Sequence, residues 1–496
     1  MSKCPRLLSS RPSEAWRPAP AVWAQFFFKR KAARGMMRFK LIVLSQKVAG
    51  VSPVESDYGG DSRISMLEAE MDLRGAGDSE SRFAAYVEGL ASVIGHADRA
   101  KPLRDYCTGL MLPCERKSVE PMAAVTAPAR VSAQHQSLLH FIGEGGWSDE
   151  KVLAKVREMV VPEMERQAPI EAWIIDDTSF PKQGQHSVGV ARQYCGQLGK
   201  QDNCQVAVTL SIANHHASLP VAYRLYLPQE WASDRARRHK AGVPEEIGFK
   251  SKPEIALEQV RWACEAGLPR GVGLMDPAYG KDARLRTTLT ALGVSYVAGI
   301  PSNTLVWVPG IKLKRSRRPA KRGRWGEPQV LSVKELALAL PKKAWRTIRW
   351  REGSAEWLSS CFARVRVRAA HSHKLGEGSS EEWLLIEWPD GEDAPTKYWL
   401  STLPKDINFH RLVDYAKLRW RIERDYQDLK QEVGLGHFEG RGWRGFHHHA
   451  TLCIAAYGFL ISEQETIPPS GPCSAALLSA PAIPASYRPR GSALAA

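Results

Sequence analysis

Two aspartates and a glutamate, far apart in the sequence, have the residue types and settings that suit metal-assisted chemistry. Asp177 ends the apolar run that starts at Ala172, Asp276 ends the run that starts at Gly271, and Glu423 lies in a long polar segment. Mg²⁺ prefers carboxylate oxygens and water, and two ions about 4 Å apart can activate a nucleophile and stabilise the leaving oxygen of a phosphodiester. We therefore expect Asp177, Asp276 and Glu423 to hold two Mg²⁺ ions, for which Mn²⁺ can substitute.

Each carboxylate also has a purely structural interpretation. Asp177 could close a strand in a turn, and Asp276 before Pro277 could open one. Glu423 could pair with Arg419 or Lys430 at helical spacing. The catalytic interpretation rests on the three residues taken together, in a basic chain and in the predicted order of elements.

The segment around Glu423 predicts one continuous helix, because no Gly or Pro occurs from Asn408 to Val433. Tyr415, Arg419 and Glu423 recur every four residues and so share a face, and Lys430 follows two turns later. We expect Arg419 and Lys430 to meet DNA phosphates, with Tyr415 on the same DNA-facing side.

Asp176 and Asp177 are adjacent, and alternation along a strand lets only one of them face the metal ions. We choose Asp177 because it directly precedes the pair Thr178-Ser179, as in the pattern of the family that the sequence resembles below. Asp176 is then expected to point away or to cap the turn.

The elements that must position these residues follow a recognisable order from Ile170. Three strands, a helix, a strand, a helix and a strand run to Ile300, and a final helix is expected after them. This order predicts an α/β fold with a ribonuclease-H-like core over residues 169–300 and 408–467. Its strands bring Asp177 and Asp276 to neighbouring carboxyl ends, where α/β sheets place their sites.

Four further segments complete the predicted organisation. Residues 1–65 are rich in Arg, Pro and Ser and predict a disordered extension, or an overlong start, since Met66 or Met71 opens a more ordinary sequence. Residues 66–168 predict a helical, DNA-binding domain, with a helical cap on the core as the alternative. Residues 301–407 predict a β-rich insertion with a basic run at 311–324, and residues 468–496 a disordered tail.

The 496 residues carry a net charge of +16 and have a pI near 9.4. That balance favours duplex DNA as a partner, although a basic protein without a polyanionic partner has the same charge. The nine cysteines form no Cys-x-x-Cys pair, which is typical of a reducing cytoplasm. No apolar run reaches the roughly 20 residues that span a bilayer, so no membrane partner is expected.

At these residues the sequence resembles the DDE transposases of bacterial insertion sequences, in the branch with a Tyr-Arg-Glu-Lys signature helix. Arg419, Glu423 and Lys430 match the signature, and Tyr415 lies one residue further from Arg419 than is usual. The first-aspartate region of the family resembles 175–194, and the second resembles 274–280. The resemblance covers about residues 66–467.

The resemblance implies cut-and-paste transposition by a bacterial, nucleoid-associated enzyme. A homodimer would hold both element ends, cleave them through a hairpin and join them to target DNA. A tryptophan of the insertion would stack on a flipped base, and Trp307, Trp345 and Trp350 are the candidates.

Two other functions stay open on the sequence. The first is a ribonuclease-H-like nuclease without strand transfer, which would share the carboxylates but not need the basic insertion. The second is a decayed, transposase-derived DNA-binding protein. A glycosidase that uses paired carboxylates is disfavoured by the basic charge.

Overall fold

The computed structural model describes residues 26–30, 39–43, 79–308, 330–350, 358–370 and 380–466. The basic run 311–324, the tail 468–496 and most of the extension 1–65 lie outside these ranges. Within the extension, the described residues are two strands, β1 (Phe26–Arg30) and β2 (Phe39–Val43), which pair in antiparallel fashion.

The chain from residue 79 begins with five helices. They are α1 (79–91), α2 (Ala100–Met111), α3 (Val119–Thr126), α4 (Val131–Gly143) and α5 (Asp149–Gln167). Ser148 caps α5, as its Oγ accepts a hydrogen bond from the Lys151 amide at 3.2 Å. Their apolar faces pack on a long C-terminal helix, α14 (Trp443–Thr466).

A mixed sheet follows, and its central strands have long buried runs. They are β3 (Ala172–Pro181), β5 (Lys200–Ala213), β6 (Ser218–Leu225), β7 (Val272–Met275) and β8 (Tyr296–Ile300), while the short β4 (Ala191–Cys195) pairs with the start of β5. β3 pairs antiparallel with β5 and parallel with β7, and β7 pairs parallel with β8. The spatial order is β6-β5-β3-β7-β8.

Helices make the crossovers between the parallel strands. Between β6 and β7 lie α6 (Gln229–Ser233), α7 (Arg235–Lys240) and α8 (Lys252–Glu265). Between β7 and β8 lie α9 (Pro277–Gly280) and α10 (Ala283–Ala291). The predicted strands and helices therefore occur in the predicted order, with β4, α6, α7 and α9 as elements that were not predicted. The result is a mixed α/β fold consistent with a ribonuclease-H-like arrangement.

The strands between residues 301 and 407 extend the same sheet. They are β9 (Leu305–Trp307), β10 (Val330–Ser332), β11 (Arg346–Trp350), β12 (Leu358–Ala369), β13 (Glu382–Trp388) and β14 (Lys397–Ser401), with α11 (Val333–Ala339) among them. β14 pairs antiparallel with β8, so this region is hydrogen-bonded directly to the last parallel strand.

The prediction of one continuous helix from Asn408 to Val433 is wrong. The structure has two helices, α12 (Phe409–Leu418) and α13 (Arg421–Gln431), separated at Arg419 and Trp420. At this break the amides of Trp420, Ile422 and Glu423 bond to carbonyls three residues back, at 3.0–3.1 Å. Arg419 and Trp420 keep right-handed helical dihedrals, so the break is a tightened turn. Arg421, directly after it, donates to the backbone carbonyls of His215 and His216.

In the described part of the chain, no helix has both the length and the apolar character needed to cross a membrane.

Candidate active site

Asp276 stands at the carboxyl end of β7 and begins α9. Its Oδ1 accepts hydrogen bonds from the amides of Ala278 at 2.9 Å and Tyr279 at 3.1 Å. Burial raises the pKa of Asp276, and these amide bonds oppose the rise. A side chain at Gly299 would meet Pro277 Cδ at 2.9 Å, so glycine lets α9 lie directly on β8 and fixes the direction of Asp276.

The prediction that the strand ends at Asp177 is wrong, because β3 stays paired with β5 as far as Pro181. Asp176 and Asp177 lie mid-strand, just beyond Ile175, where the pairing of β3 with β7 ends, and they have different partners. Asp176 Oδ2 lies 2.6 Å from Arg419 Nη1. Asp177 Oδ2 accepts from Lys252 Nζ and from the Tyr279 hydroxyl, both at 3.1 Å. The Asp177 side chain is 25% exposed and that of Asp176 12%, so Asp177 is the more accessible of the two.

Asp176 interacts electrostatically with all the other carboxylates of this cluster. Burial is the main cause that raises its pKa to about 7. The Arg419 guanidinium opposes that rise, whereas Asp276, Asp177 and Glu423 add to it. The structure thus brings β3, the end of β7 and α13 within electrostatic reach of one another.

Arg419 joins Asp176 to Glu423. Its Nη2 lies 3.2 Å from Glu423 Oε1, while its Nη1 holds Asp176. Burial would lower the pKa of Arg419, but Asp176, Glu423 and Asp276 raise it above its usual value. The Glu423 side chain is 52% exposed and accessible to a ligand or substrate.

Lys430, two turns after Glu423, lies on the same side of α13. Its Nζ donates to the Ser179 carbonyl at 2.8 Å and to Gln197 Oε1 at 3.3 Å. Burial lowers the pKa of Lys430 to about 8, although Cys195, Glu423 and Asp177 oppose the fall. Lys430 therefore lies beside the first-aspartate region.

Tyr415 lies on α12, before the break, and contacts another group. Its hydroxyl accepts from Arg411 Nη2 at 3.3 Å, and the Arg411 guanidinium lies 4.6 Å from its ring centre. Arg411 in turn pairs with Glu171 at 2.7 Å, just before β3 and at the end of that strand remote from Asp177. Tyr415 therefore contacts a different set of residues from Arg419 and Glu423.

Three residues of the cluster were not singled out in the sequence. Lys252 and Tyr279 hold Asp177, and the hydroxyl of the buried Tyr426 hydrogen-bonds to Thr209 Oγ1 on the neighbouring strand β5. Tyr279 lies inside the second-aspartate segment and could have been noted there. Lys252 and Tyr426 carry no local signal, because their partners are 75 and 217 residues away.

The tryptophans proposed to stack on a base are at least partly buried. Trp350 is 8% exposed, with Lys417 Nζ 4.3 Å from its ring centre, and Trp345 packs edge-on against Trp388. Trp307 is of intermediate exposure on β9. Trp420, at the break beside Arg419, is 52% exposed.

The donor set fits a hard divalent ion, since Asp177, Asp276 and Glu423 offer only carboxylate oxygens. Among the described residues, no three His, Cys, Asp or Glu side chains are arranged to hold a metal ion as they stand. In this structure Arg419 binds Asp176 and Glu423, and Lys252 binds Asp177.

Comparison with known proteins identifies the family. A family model described as "DDE superfamily endonuclease" matches residues 89–356, more than half of the chain, and one described as "Transposase DDE domain" matches residues 269–459. The chain belongs to the DDE superfamily of endonucleases.

Among curated proteins, the chain is similar to the "Probable transposase for insertion sequence element IS701" of Microchaete diplosiphon. The two are 29% identical over 305 residues, which cover 61% of this chain and 68% of that relative. The suggested DDE family is thereby confirmed, and this relative supports a transposase activity, while the Tyr-Arg-Glu-Lys branch stays a prediction.

Proposed function

We propose that the protein catalyses cut-and-paste transposition of an insertion sequence, by metal-dependent cleavage of the element ends and transfer of the freed strands to target DNA. The observation that carries the proposal is the convergence of Asp177, Asp276 and Glu423 from β3, β7 and α13, with Arg419 and Lys430 beside them. A family match to transposase domains supports it.

Asp177, Asp276 and Glu423 are the residues that would hold two Mg²⁺ ions. When bound, the ions would activate the attacking water or 3′-hydroxyl and stabilise the leaving oxygen. The chain's own residues do the positioning: Tyr279 and Lys252 orient Asp177, and the amides of α9 orient Asp276. Arg419, Lys430 and Tyr415 are proposed to bind DNA phosphates.

The remaining parts of the chain are proposed to serve DNA binding and assembly. The helices of residues 66–168 would recognise the element ends, and residues 301–407 would form the basic insertion of the Tyr-Arg-Glu-Lys branch. Two copies of the chain would hold both ends in one complex.

The test is excision from a plasmid that carries the flanking element ends, with Mg²⁺, Mn²⁺ or EDTA. Asp276→Asn keeps an oxygen that can cap α9 but removes the charge, so we expect excision to fall at least about 100-fold. Asp282→Asn is the matched control, because Asp282 caps α10 through the Leu285 amide at 2.8 Å and should excise normally.

Other results would identify the alternatives. If the protein cleaves the element ends but does not join a pre-nicked donor end to target DNA, it is a nuclease without strand transfer. Binding without cleavage in either metal would indicate a decayed DNA-binding protein.

A further inference from the structure

Helix α7 carries a cluster of cations, some of which are used inside the protein. The Arg237 guanidinium lies 3.9 Å from the Trp231 ring centre, and its Nη2 donates to the Gln185 carbonyl at 3.2 Å. Arg238 donates to the carbonyls of Ala232 at 3.3 Å and Pro244 at 3.0 Å. These bonds fix the helix on the loops around it.

The other cations of α7 face solvent. Arg235, His239 and Lys240 are exposed. Within the described ranges no ion pair joins Arg235 or Lys240 to a carboxylate, in contrast to other exposed cations such as Arg284, which pairs with Glu254. Glu245 and Glu246, just after α7, are exposed as well. Among the described residues no ion pair joins them to Arg235 or Lys240, so these two cations on a braced helix are available to a polyanion.

A second segment adds to this surface. The Trp443 amide donates to the Ala241 carbonyl at 2.8 Å, so the chain just before α14 is joined to the end of α7. The Arg441 carbonyl accepts from the Val188 amide at 3.0 Å, while the residue itself is exposed. Arg235, His239, Lys240 and Arg441 together are termed the α7 surface.

The α7 surface lies mainly on the segment between β6 and α8. Tyr226, at the start of this segment, has its ring centre 5.8 Å from Nζ of Lys252, the first residue of α8. That same Nζ binds Asp177 at 3.1 Å. The segment that carries the α7 surface therefore begins and ends close to Lys252, the residue that binds Asp177.

We propose that the α7 surface binds the phosphate backbone of duplex DNA next to the cleavage site; this inference rests on the proposed function. We assign the contact to the backbone, because the surface offers cations for phosphates. The rings beneath it are too buried to stack on bases, with Trp231 2% and Trp443 8% exposed. Arg235, Lys240 and Arg441 neutralise phosphates, and the gain in affinity comes from counterion release.

The test measures the dissociation constant for fluorescent duplex DNA over a salt series, in EDTA so that no cleavage occurs. Lys240→Ala/Arg441→Ala removes one charge from each segment of the surface. We expect affinity near 0.1 M salt to weaken at least about tenfold, and the slope of log Kd against log salt concentration to become shallower by about 2.

Two matched variants accompany it. Arg261→Ala/Arg270→Ala removes two exposed charges from the opposite end of α8 and from the turn before β7, and should keep the wild-type slope. Lys240→Arg/Arg441→Lys preserves the charge and should bind as the wild type does. An unchanged slope in the alanine variant, or equal losses in both alanine variants, would refute the proposal.

Duplexes that carry the element end and scrambled duplexes of equal length form the last comparison. A backbone contact weakens binding to both equally, and a loss confined to the end sequence would contradict it. Failure of the proposed function would look different: the wild type would bind DNA in this assay yet cleave no element ends in Mg²⁺.

Discussion

Asp177 and Asp176 illustrate how the surroundings of a carboxylate define what it can do. Asp177 is partly exposed and held by Lys252 and Tyr279, which leaves its oxygens accessible to an ion. Asp176 is more buried, and its charge is matched to Arg419. We therefore retain Asp177 as the proposed metal ligand and regard Asp176 as the residue that positions Arg419.

The first prediction compares Asp177→Asn with Asp176→Asn. Loss of a metal ligand should lower excision by at least about 100-fold, because a developing charge loses its stabilisation. Asp176→Asn weakens the ion pair that holds Arg419, so we expect excision to fall only about tenfold, because the Arg419 side chain is misplaced. Single-turnover cleavage of an end duplex measures both, and a reversed order of the two losses would assign the ligand to Asp176.

The second prediction concerns Lys430, whose pKa is lowered to about 8 by burial. Because burial favours the neutral amine, its proton is lost as the pH rises through about 8, and its attraction for phosphate is lost with it. We expect DNA affinity to fall between pH 7 and pH 9 in the wild type. Lys430→Arg should remove that dependence, since arginine stays charged; an equal fall in this variant would exclude Lys430 as the cause.

At the scale of single residues, the sequence predicts which residues form the site better than it predicts which side chains contact one another. Asp177, Asp276 and Glu423 are visible because each follows or lies within a strong local pattern. The bond from Lys252 to Asp177 cannot be predicted from the sequence, since it depends on where the segment after β6 returns to the sheet as α8 begins. Which of two adjacent aspartates binds Arg419 likewise depends on strand orientation and not on composition.

Helix α13 carries Glu423, and the buried carboxyl of Asp425 holds this helix against its neighbours. Asp425 accepts from the Tyr457 hydroxyl of α14 at 2.9 Å and from the Ser218 hydroxyl of β6. Burial raises the pKa of Asp425 to about 7. The helix is thereby bound both to the sheet and to α14.

The third prediction follows from this anchor. Ser218→Ala removes one donor from a carboxyl that is 3% exposed, which should cost about 1–3 kcal/mol and lower the melting temperature. Ser233→Ala is the control, because Ser233 only bonds back within α6 on the surface. Thermal unfolding followed by circular dichroism measures both, and equal melting temperatures for the two variants would show that the bond contributes nothing.

The break between α12 and α13 marks the limit of sequence reasoning about elements. The strands that carry Asp177 and precede Asp276 follow from apolar runs, and the crossover helices from their periodicity, but β3 continues past Asp177 to Pro181. The break at Arg419 has no glycine or proline to signal it. Arg419 binds Asp176 there and Arg421 binds the loop after β5, which are contacts made only in the folded chain.

Across the whole molecule, α14 connects the N-terminal helices to the sheet. Arg82 of α1 lies 2.6 Å from Glu463 of α14, and Ser79 also donates to that carboxylate. Phe83 packs against Phe459, and the ring of His448 stacks on Trp147. The helices before β3 therefore have a structural role, because they cover an apolar face of α14. Their proposed role in DNA recognition is separate from this packing.

The last prediction separates two truncations of the chain. Deleting residues 1–65 removes β1 and β2, whose described pairing is with each other, so the melting temperature should stay within about 2 °C of the full chain. Deleting residues 1–168 exposes the apolar face of α14 and takes both partners from Glu463, which is 3% exposed. Removing the partners of a buried charge typically costs about 3–5 kcal/mol, so the shorter protein should melt far lower or aggregate. Scanning calorimetry and light scattering measure this, and a soluble 169–496 chain that melts with the full protein would show that the helices are an independent module.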